Sequence, residues 1–132
     1  VAALLEQVEV HALRDVTRGG LAAVLNELAQ ASDVGLTVEQ EAVPVRPAVK
    51  GLCELLGLDP LHMANEGRLV VAVPGEQAQA ALDTMRAHPL GQGAAIIGRV
   101  GDQPPGLVSL RTAFGGQRIL DVLVGEQLPR IC

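Results

Sequence analysis

Apolar residues recur along this sequence with two different spacings, and the two spacings alternate along the chain. Leu21, Val24, Leu25 and Leu28 stand at helical spacing, so one face of a helix of about four turns is apolar. Leu36-Thr37-Val38-Glu39 alternates between apolar and polar residues, which predicts a strand with one buried face. This alternation predicts the order α–β–α–β–α–β–β–β. The fold class is α/β (α+β), with a mixed sheet and helices packed mainly on one face.

The later elements are predicted from the same spacings and from their proline and glycine boundaries. Pro47 suits the first turn of a second helix, and Gly57 suits its end. The apolar face predicted for this helix is Val49, Leu52, Cys53, Leu55 and Leu56. The nearly continuous apolar run 68–73 predicts a central strand covered on both faces. A third helix is predicted over 76–87, a short one over 61–64 capped by Asp59, and strands over 94–100, 107–112 and 118–124, with Gly115-Gly116 as the turn of the last hairpin.

The composition limits the core, the partners and the compartment. The 132 residues suit one domain, and because 48% are apolar but only 1% aromatic, the core must consist of Val, Leu, Ile and Ala. The net charge of −5 argues against a general nucleic-acid surface. No apolar run has the length of a membrane span, and no signal-peptide pattern opens the sequence. Two cysteines form no disulfide framework, so we expect a cytoplasmic protein, and the isolated histidines indicate no metal site.

The sequence ends on a cysteine, Cys132. Burying this thiol would also bury the α-carboxylate beside it, which is costly. We therefore expect an exposed thiol on a mobile tail over 125–132, following a domain over 1–124. An extended tail of this length reaches about 25 Å, which suits a carrier of an acyl-like group. The alternative is a stray surface thiol. The sequence opens on Val1 as if within a helix, so we expect a piece of a longer protein.

A polar, glycine-rich stretch, Arg14-Asp15-Val16-Thr17-Arg18-Gly19-Gly20, precedes the first predicted helix. Asp15 or Thr17 can cap that helix. Gly19 and Gly20 would let a ligand approach the backbone, the helix end favours an anion, and Arg18 can contact phosphate or carboxylate. The alternative is a capped helix that packs its glycines against a neighbour. The stretch lacks the Gly-Lys-Ser/Thr of a Walker P-loop.

A second candidate is the turn Asn65-Glu66-Gly67, directly before the apolar run 68–73. A carboxylate at the end of a buried strand can act as a general base if the fold buries it. The alternative is an ordinary exposed turn residue. Glu66 is therefore a candidate catalytic residue whose surroundings decide its role.

Four motifs together resemble the C-terminal domain of the HypE family of hydrogenase expression/formation proteins. They are Arg-Asp-Val-Thr-Arg-Gly-Gly-Leu at 14–21, Leu-Asn-Glu-Leu-Ala at 25–29, Ala-Asn-Glu-Gly at 64–67, and Pro-Arg-Ile-Cys at 129–132. The first motif alone indicates the wider superfamily of aminoimidazole ribonucleotide synthetase, selenophosphate synthetase and thiamine-monophosphate kinase. The last motif narrows the resemblance to HypE. The resemblance implies the fold of the C-terminal domain of aminoimidazole ribonucleotide synthetase.

The resemblance also implies a chemistry for the site residues. Cys132 would receive a carbamoyl group from the carbamoyltransferase HypF, and ATP would activate the carbamoyl oxygen as a phosphate ester. Loss of phosphate and a proton would leave a thiocyanate, whose cyano group passes to iron on the HypC–HypD complex and becomes a cyanide ligand of [NiFe]-hydrogenase. Glu66 matches the family motif and is the candidate base. The residues that would shape the nucleotide site are Arg14, Asp15, Thr17, Arg18, Gly19 and Gly20.

In the family that the chain resembles, ATP and Mg²⁺ are held mainly by an N-terminal domain, which also forms the homodimer. That domain is not in this sequence, so we expect the isolated domain to fold without binding ATP tightly or catalysing dehydration. Two alternatives stay open at this point. One is the matching domain of another ATP-dependent synthetase of the superfamily, although such chemistry needs no thiol tail. The other is a non-enzymatic module whose tail docks to a partner protein.

Overall fold

The computed structural model describes residues 1–101 and 104–123. Within these ranges the helices are α1 (Ala2–Gln7), α2 (Gly20–Ala31), α3 (Pro47–Leu56) and α4 (Ala78–Ala87), and the strands are β1 (Ala12–Asp15), β2 (Gly35–Glu39), β3 (Leu69–Ala72), β4 (Gly98–Gly101), β5 (Val108–Arg111) and β6 (Gln117–Ile119). The predicted α/β class is confirmed. The predicted strand over 118–124 ends earlier, at Ile119. Its last residue, 124, and the predicted tail 125–132 with Cys132 lie outside the described residues. No helix of the described ranges has the length and apolarity to cross a membrane.

The strands form two sheets. The larger has the order β4–β2–β5–β6, with β2 parallel to β5 and the other neighbours antiparallel, so the predicted mixed sheet is confirmed. The predicted hairpin is also present, since β5 and β6 join through a turn in which the Thr112 amide donates to the Gly116 carbonyl. β1 and β3 pair antiparallel in a separate sheet, which the sequence pattern did not predict.

The main core lies between α2 and the larger sheet. Leu36 of β2 stands opposite Val108 of β5, and Val38 stands opposite Leu110, so four apolar side chains share one sheet face. They pack against Ala22, Leu25, Ala29, Leu61 and Leu120. The core is aliphatic, as predicted. Strand β2 differs from the prediction of one buried face, because Thr37 on its other face is buried as well.

The strand predicted over 68–73 is not central, and its two faces are covered only in part. It is present as β3, but Leu69 is exposed, Val70 to Ala72 are half-buried, and its partner is β1. Val71 and Val73 pack against a small second cluster formed by Leu4 and Val8, next to Ala81 of α4. On the other face Val70 packs against the main core, so the apolar run serves a two-stranded sheet that is partly covered on both sides. The predicted strand over 94–100 also begins later, at Gly98.

Helix α3 has the predicted ends but not the predicted burial. Pro47 is its first residue, and Gly57 ends it in the left-handed conformation with φ of 67°. Only Cys53 of its apolar face is buried, whereas the other four apolar residues are exposed. The spacing correctly predicted which side chains share a face. Whether another part of the chain covers that face depends on tertiary structure.

Candidate functional site

The two polar turns of the sequence motifs lie side by side in the structure. The Val16 amide donates to the Arg68 carbonyl at 2.9 Å, and the Asn65 amide donates to the Thr17 carbonyl at 3.2 Å. Asp15, the last residue of β1, stands opposite Leu69, the first residue of β3. The small sheet therefore brings the 14–20 motif and the 64–67 motif together at one edge.

The turn into α2 is made by backbone groups and glycines. Gly19 is the N-cap with φ of 77°, Gly20 has φ of 68°, and no side chain caps the helix. The Gly20 amide donates to the Thr17 carbonyl at 3.1 Å. The prediction that Asp15 or Thr17 caps the helix with its side chain is therefore wrong, because Asp15 ends β1 and Thr17 contributes its carbonyl instead.

Gly20 packs directly on the segment that follows the 3-10 helix Pro60–His62. A Cβ atom at Gly20 would lie 2.5 Å from the Met63 carbonyl oxygen and 2.6 Å from the Leu61 carbonyl oxygen. A side chain has no room there, so close packing on a neighbour explains this glycine without a ligand. A ligand-binding role for Gly19 and Gly20 stays a prediction.

The charged residues of the first motif are exposed, and one of them is held in place. Arg14 donates through Nη2 to Oε2 of Glu27 on α2 at 2.8 Å, with both side chains about half exposed. Asp15, Thr17 and Arg18 are also exposed. Glu27 therefore orients the Arg14 guanidinium at the edge of the site. Glu27 lies in the 25–29 motif, but only tertiary structure shows this contact.

Glu66 lies in an exposed turn. The Glu66 amide donates to Asn65 Oδ1 at 3.0 Å, and Gly67 completes the turn with φ of 69°. Residues 64–69 are exposed as a group. The burial on which a base role depends is therefore not supplied by the described part of this chain, and another surface would have to cover Glu66.

Asn26 belongs to the 25–29 motif, and the structure shows what its side chain binds. The side chain is buried, and its Nδ2 donates to the Ala22 carbonyl and to the Leu120 carbonyl, each at 2.8 Å. The second bond joins α2 to the segment that leaves β6. Asn26 thus fixes the end of the described chain against the helix that begins at the site.

We expect Asn26→Ala to lower the free energy of unfolding by about 2 kcal/mol, because a buried carbonyl loses its donor. The control is Asn65→Ala, which alters an exposed side chain and should cost less than about 1 kcal/mol. Urea titration of both variants measures the difference. Equal losses would show that the bond to Leu120 contributes no more than an exposed one.

His62 was interpreted as an isolated histidine, and the structure gives it distant partners. Its side chain is only 8% exposed. Nε2 lies 2.8 Å from the Asp121 carbonyl oxygen, and since a carbonyl only accepts, Nε2 carries the proton. Nδ1 lies 3.3 Å from Asp59 Oδ2 without a hydrogen bond, and Oδ2 accepts from Arg118 Nη2 at 3.1 Å. This cluster is a second tie between the 3-10 helix and the segment after β6.

The other sequence predictions around this helix have clear outcomes. Asp59 caps it as predicted, since Oδ1 accepts from the Leu61 amide at 2.9 Å. The helix covers Pro60–His62, which is shorter than the predicted 61–64.

Within residues 1–101 and 104–123, no group of three or more His, Cys, Asp or Glu side chains could hold a metal ion.

Comparison with known proteins identifies the family. Residues 1–109 match the family model described as AIR synthase related protein, C-terminal domain. The chain belongs to this family. This AIR synthase related domain is 62% identical to the carbamoyl dehydratase HypE of Rhodobacter capsulatus over 93% of its own length and 36% of the relative's. It is 54% identical to the carbamoyl dehydratase HypE of Azotobacter vinelandii over 100% of its own length and 39% of the relative's. The chain thus spans less than two fifths of these relatives.

Solved structures of HypE proteins share the fold of this AIR synthase related domain. It superimposes on Escherichia coli HypE with a TM-score of 0.92 at 47% identity, covering 99% of this chain and 41% of the other. For HypE in complex with ATP the TM-score is 0.86 at 50% identity, with 93% and 38% covered. For the HypE–HypF complex it is 0.82 at 45% identity, with 86% and 37% covered. The resemblance to HypE drawn from the motifs is confirmed.

Proposed function

We propose that this domain is the C-terminal part of an ATP-dependent carbamoyl dehydratase that carries a carbamoyl group on Cys132. The observation that carries the proposal is the similarity to proteins named carbamoyl dehydratase HypE over 93% to 100% of this chain. The structure adds that two of the motifs, at 14–21 and 64–67, meet at one edge of the small sheet. A shared edge suits residues that act on one substrate.

The proposed reaction converts a thiocarbamate into a thiocyanate. The Cys132 sulfur bonds to the carbamoyl carbon of the donor held by HypF, the bond between that carbon and its leaving group breaks, and the thiol proton leaves with that group. The carbamoyl oxygen then takes the γ-phosphoryl group of ATP, ADP leaves, and nitrogen loses its first proton. The carbon–oxygen bond breaks next, phosphate leaves with that oxygen, and nitrogen loses its second proton to form the cyano group. The products are the S-cyano group, ADP, phosphate and a proton, so no external oxidant or reductant is needed.

We assign each motif a part in this reaction. Glu66 accepts a proton from the carbamoyl nitrogen. Arg18, and Arg14 as oriented by Glu27 at 2.8 Å, offer positive charge to the phosphoryl group as its negative charge develops. Asp15, Thr17, Gly19 and Gly20 shape the turn beside it. Because the charged side chains and Thr17 are exposed, these residues form one wall of the site.

We assign the other wall to an ATP-binding N-terminal domain. The relatives are more than twice as long as this chain, and a HypE relative has been solved with ATP. In this proposal that domain holds Mg²⁺ and most of the nucleotide, and it forms the homodimer. The whole protein would work in the cytoplasm, take its carbamoyl group from HypF, and pass the cyano group to iron on the HypC–HypD complex. A HypE–HypF complex is known for a relative.

Glu66→Gln tests the site in a two-domain protein, made by joining this chain to the N-terminal part of the R. capsulatus relative. With HypF, carbamoyl phosphate and γ-labelled ATP present, we expect release of labelled phosphate in a single turnover to slow by about 100-fold or more, because the base is lost. The control is Glu76→Gln, which removes another exposed carboxylate away from the motif. If the two variants turn over at the same rate, Glu66 is not the base.

We also expect the 132-residue chain alone to release no phosphate from ATP. Its Arg14, Asp15, Thr17 and Arg18 are exposed, so it offers one wall and cannot exclude water from the reacting groups. An ATPase assay of the isolated chain, with the two-domain protein as positive control, measures this. Turnover by the isolated chain would contradict the division of the site between two domains.

A further inference from the structure

Helix α3 presents an apolar face that no described residue covers. The α3 apolar face consists of Val49, Leu52, Leu55 and Leu56, whose exposed fractions are 40%, 57%, 81% and 58%. These residues recur at helical spacing and so form one stripe. Contiguous exposed apolar stripes commonly mark a contact surface, whereas single exposed leucines do not.

The helix that carries this face is well anchored. Cys53, which borders the exposed stripe on the same side of the helix, is buried. At its C-terminus Gly57 adopts the left-handed conformation, and the Leu58 amide donates to the Cys53 carbonyl at 2.8 Å. The apolar face therefore belongs to a helix whose C-terminus is fixed by a hydrogen bond.

The α3 helix also adjoins the candidate site. Directly after α3 the chain forms the 3-10 helix Pro60–His62, which Asp59 caps and which packs on α3. The carbonyl groups of Leu61 and Met63 lie against Gly20 at the beginning of α2. One short helix thus separates the apolar face from the turn that carries Thr17 and Arg18. A protein domain that covers the exposed residues of the site can therefore contact α3 as well.

We propose that the α3 apolar face is the contact surface for the ATP-binding domain that precedes this domain in the polypeptide. This inference rests on the proposed function, which requires that domain to close the site. The chain matches a family of C-terminal domains and spans only 36% to 39% of its relatives, so most of the relatives' chain is available as the occupant.

A second copy of this domain fits the face less well. Helix α3 has ten residues and is therefore about 15 Å long. Two such stripes packed on each other would bury much less than the roughly 800 Å² per partner of a standard interface. A whole domain that contacts both α3 and the site edge supplies a larger area.

Thiol labelling tests this contact without depending on catalysis. Leu55→Cys and, as control, Leu90→Cys are made in a Cys132→Ala background, since Leu90 is 92% exposed and lies outside α3. Each is labelled with a maleimide in the 132-residue chain and in the two-domain protein. We expect labelling at position 55 to slow at least tenfold in the two-domain protein and labelling at position 90 to stay unchanged.

Three results would overturn the inference. The first is equal labelling of position 55 in both proteins. The second is protection of position 55 in the isolated chain together with a dimeric mass, which assigns the face to a second copy. The third is protection only after HypF is added, which assigns the face to a partner protein. Because the background lacks Cys132, none of these results depends on whether Cys132 carries a carbamoyl group, so the contact and the proposed function can fail separately.

Discussion

Replacing Gly20 with alanine is expected to destabilise the domain by about 2–5 kcal/mol, a large part of the stability of a domain of this size. Two costs add. Gly20 has φ of 68°, a conformation that costs a residue with a Cβ atom about 1–2 kcal/mol. The new Cβ would also lie 2.5 Å, 2.6 Å and 2.9 Å from backbone atoms of Met63, Leu61 and His62. Backbone atoms cannot rotate away, so this segment or α2 must shift, at a typical cost of about 1–3 kcal/mol.

Two other glycines separate these costs. Gly67 has φ of 69° but open space around its Cα, so Gly67→Ala should cost only about 1–2 kcal/mol. Gly51 lies within α3, with no atom in contact range, so Gly51→Ala should stabilise by about 0.5–1 kcal/mol. Chemical unfolding of the three variants gives the order directly. If Gly20→Ala costs no more than Gly67→Ala, the close packing of Gly20 is not as described.

Replacing Cys132 with alanine is expected to abolish hydrogenase maturation completely. Under the proposed function its sulfur forms the bond to the carbamoyl carbon, and no other side chain can replace a nucleophile that must also release a cyano group. Binding to HypF and to the HypC–HypD complex should persist, since only one thiol is removed. Complementation of a strain lacking the gene, together with pull-down of the partners, measures both effects.

Deleting residues 126–132 distinguishes a chemical tail from a docking peptide. If the thiol is the reactive group, Cys132→Ala and the deletion should abolish maturation to the same extent. If Cys132→Ala has no effect while the deletion abolishes partner binding, the tail only docks, and the carrier proposal is wrong. The matched control is Cys53→Ala, because Cys53 is buried and should leave maturation intact.

Local signals predicted much of the secondary structure. The apolar spacing and turn residues located α2, β2, α3 and the β5–β6 hairpin close to their observed ends. These elements have strong local determinants, namely Pro47 and Gly57 at the ends of α3 and the glycine pair of the hairpin turn. The family resemblance followed from four short motifs, and the comparisons confirmed it.

Long-range contacts account for what the sequence did not predict. Spacing cannot show that β1 pairs with β3 in a separate sheet. It also cannot show that His62 is buried against Asp121. The cap of α2 was predicted wrongly because Asp15 and Thr17 are suitable cap residues, yet strand pairing holds Asp15 in β1 and leaves the cap to Gly19. The exposed face of α3 was predicted as buried for a related reason, since spacing shows which side chains share a face but not whether another element covers them.

The most direct test of the central claim is mass spectrometry of the C-terminal peptide after a reaction with HypF, carbamoyl phosphate and ATP. The reaction uses the two-domain protein, and Cys132→Ala and Cys53→Ala serve as controls. The proposal predicts a carbamoyl group on Cys132 without ATP and a cyano group with ATP, both absent in Cys132→Ala and both kept in Cys53→Ala. An unmodified Cys132 after reaction with an active HypF preparation would contradict the proposal that this domain carries the carbamoyl group.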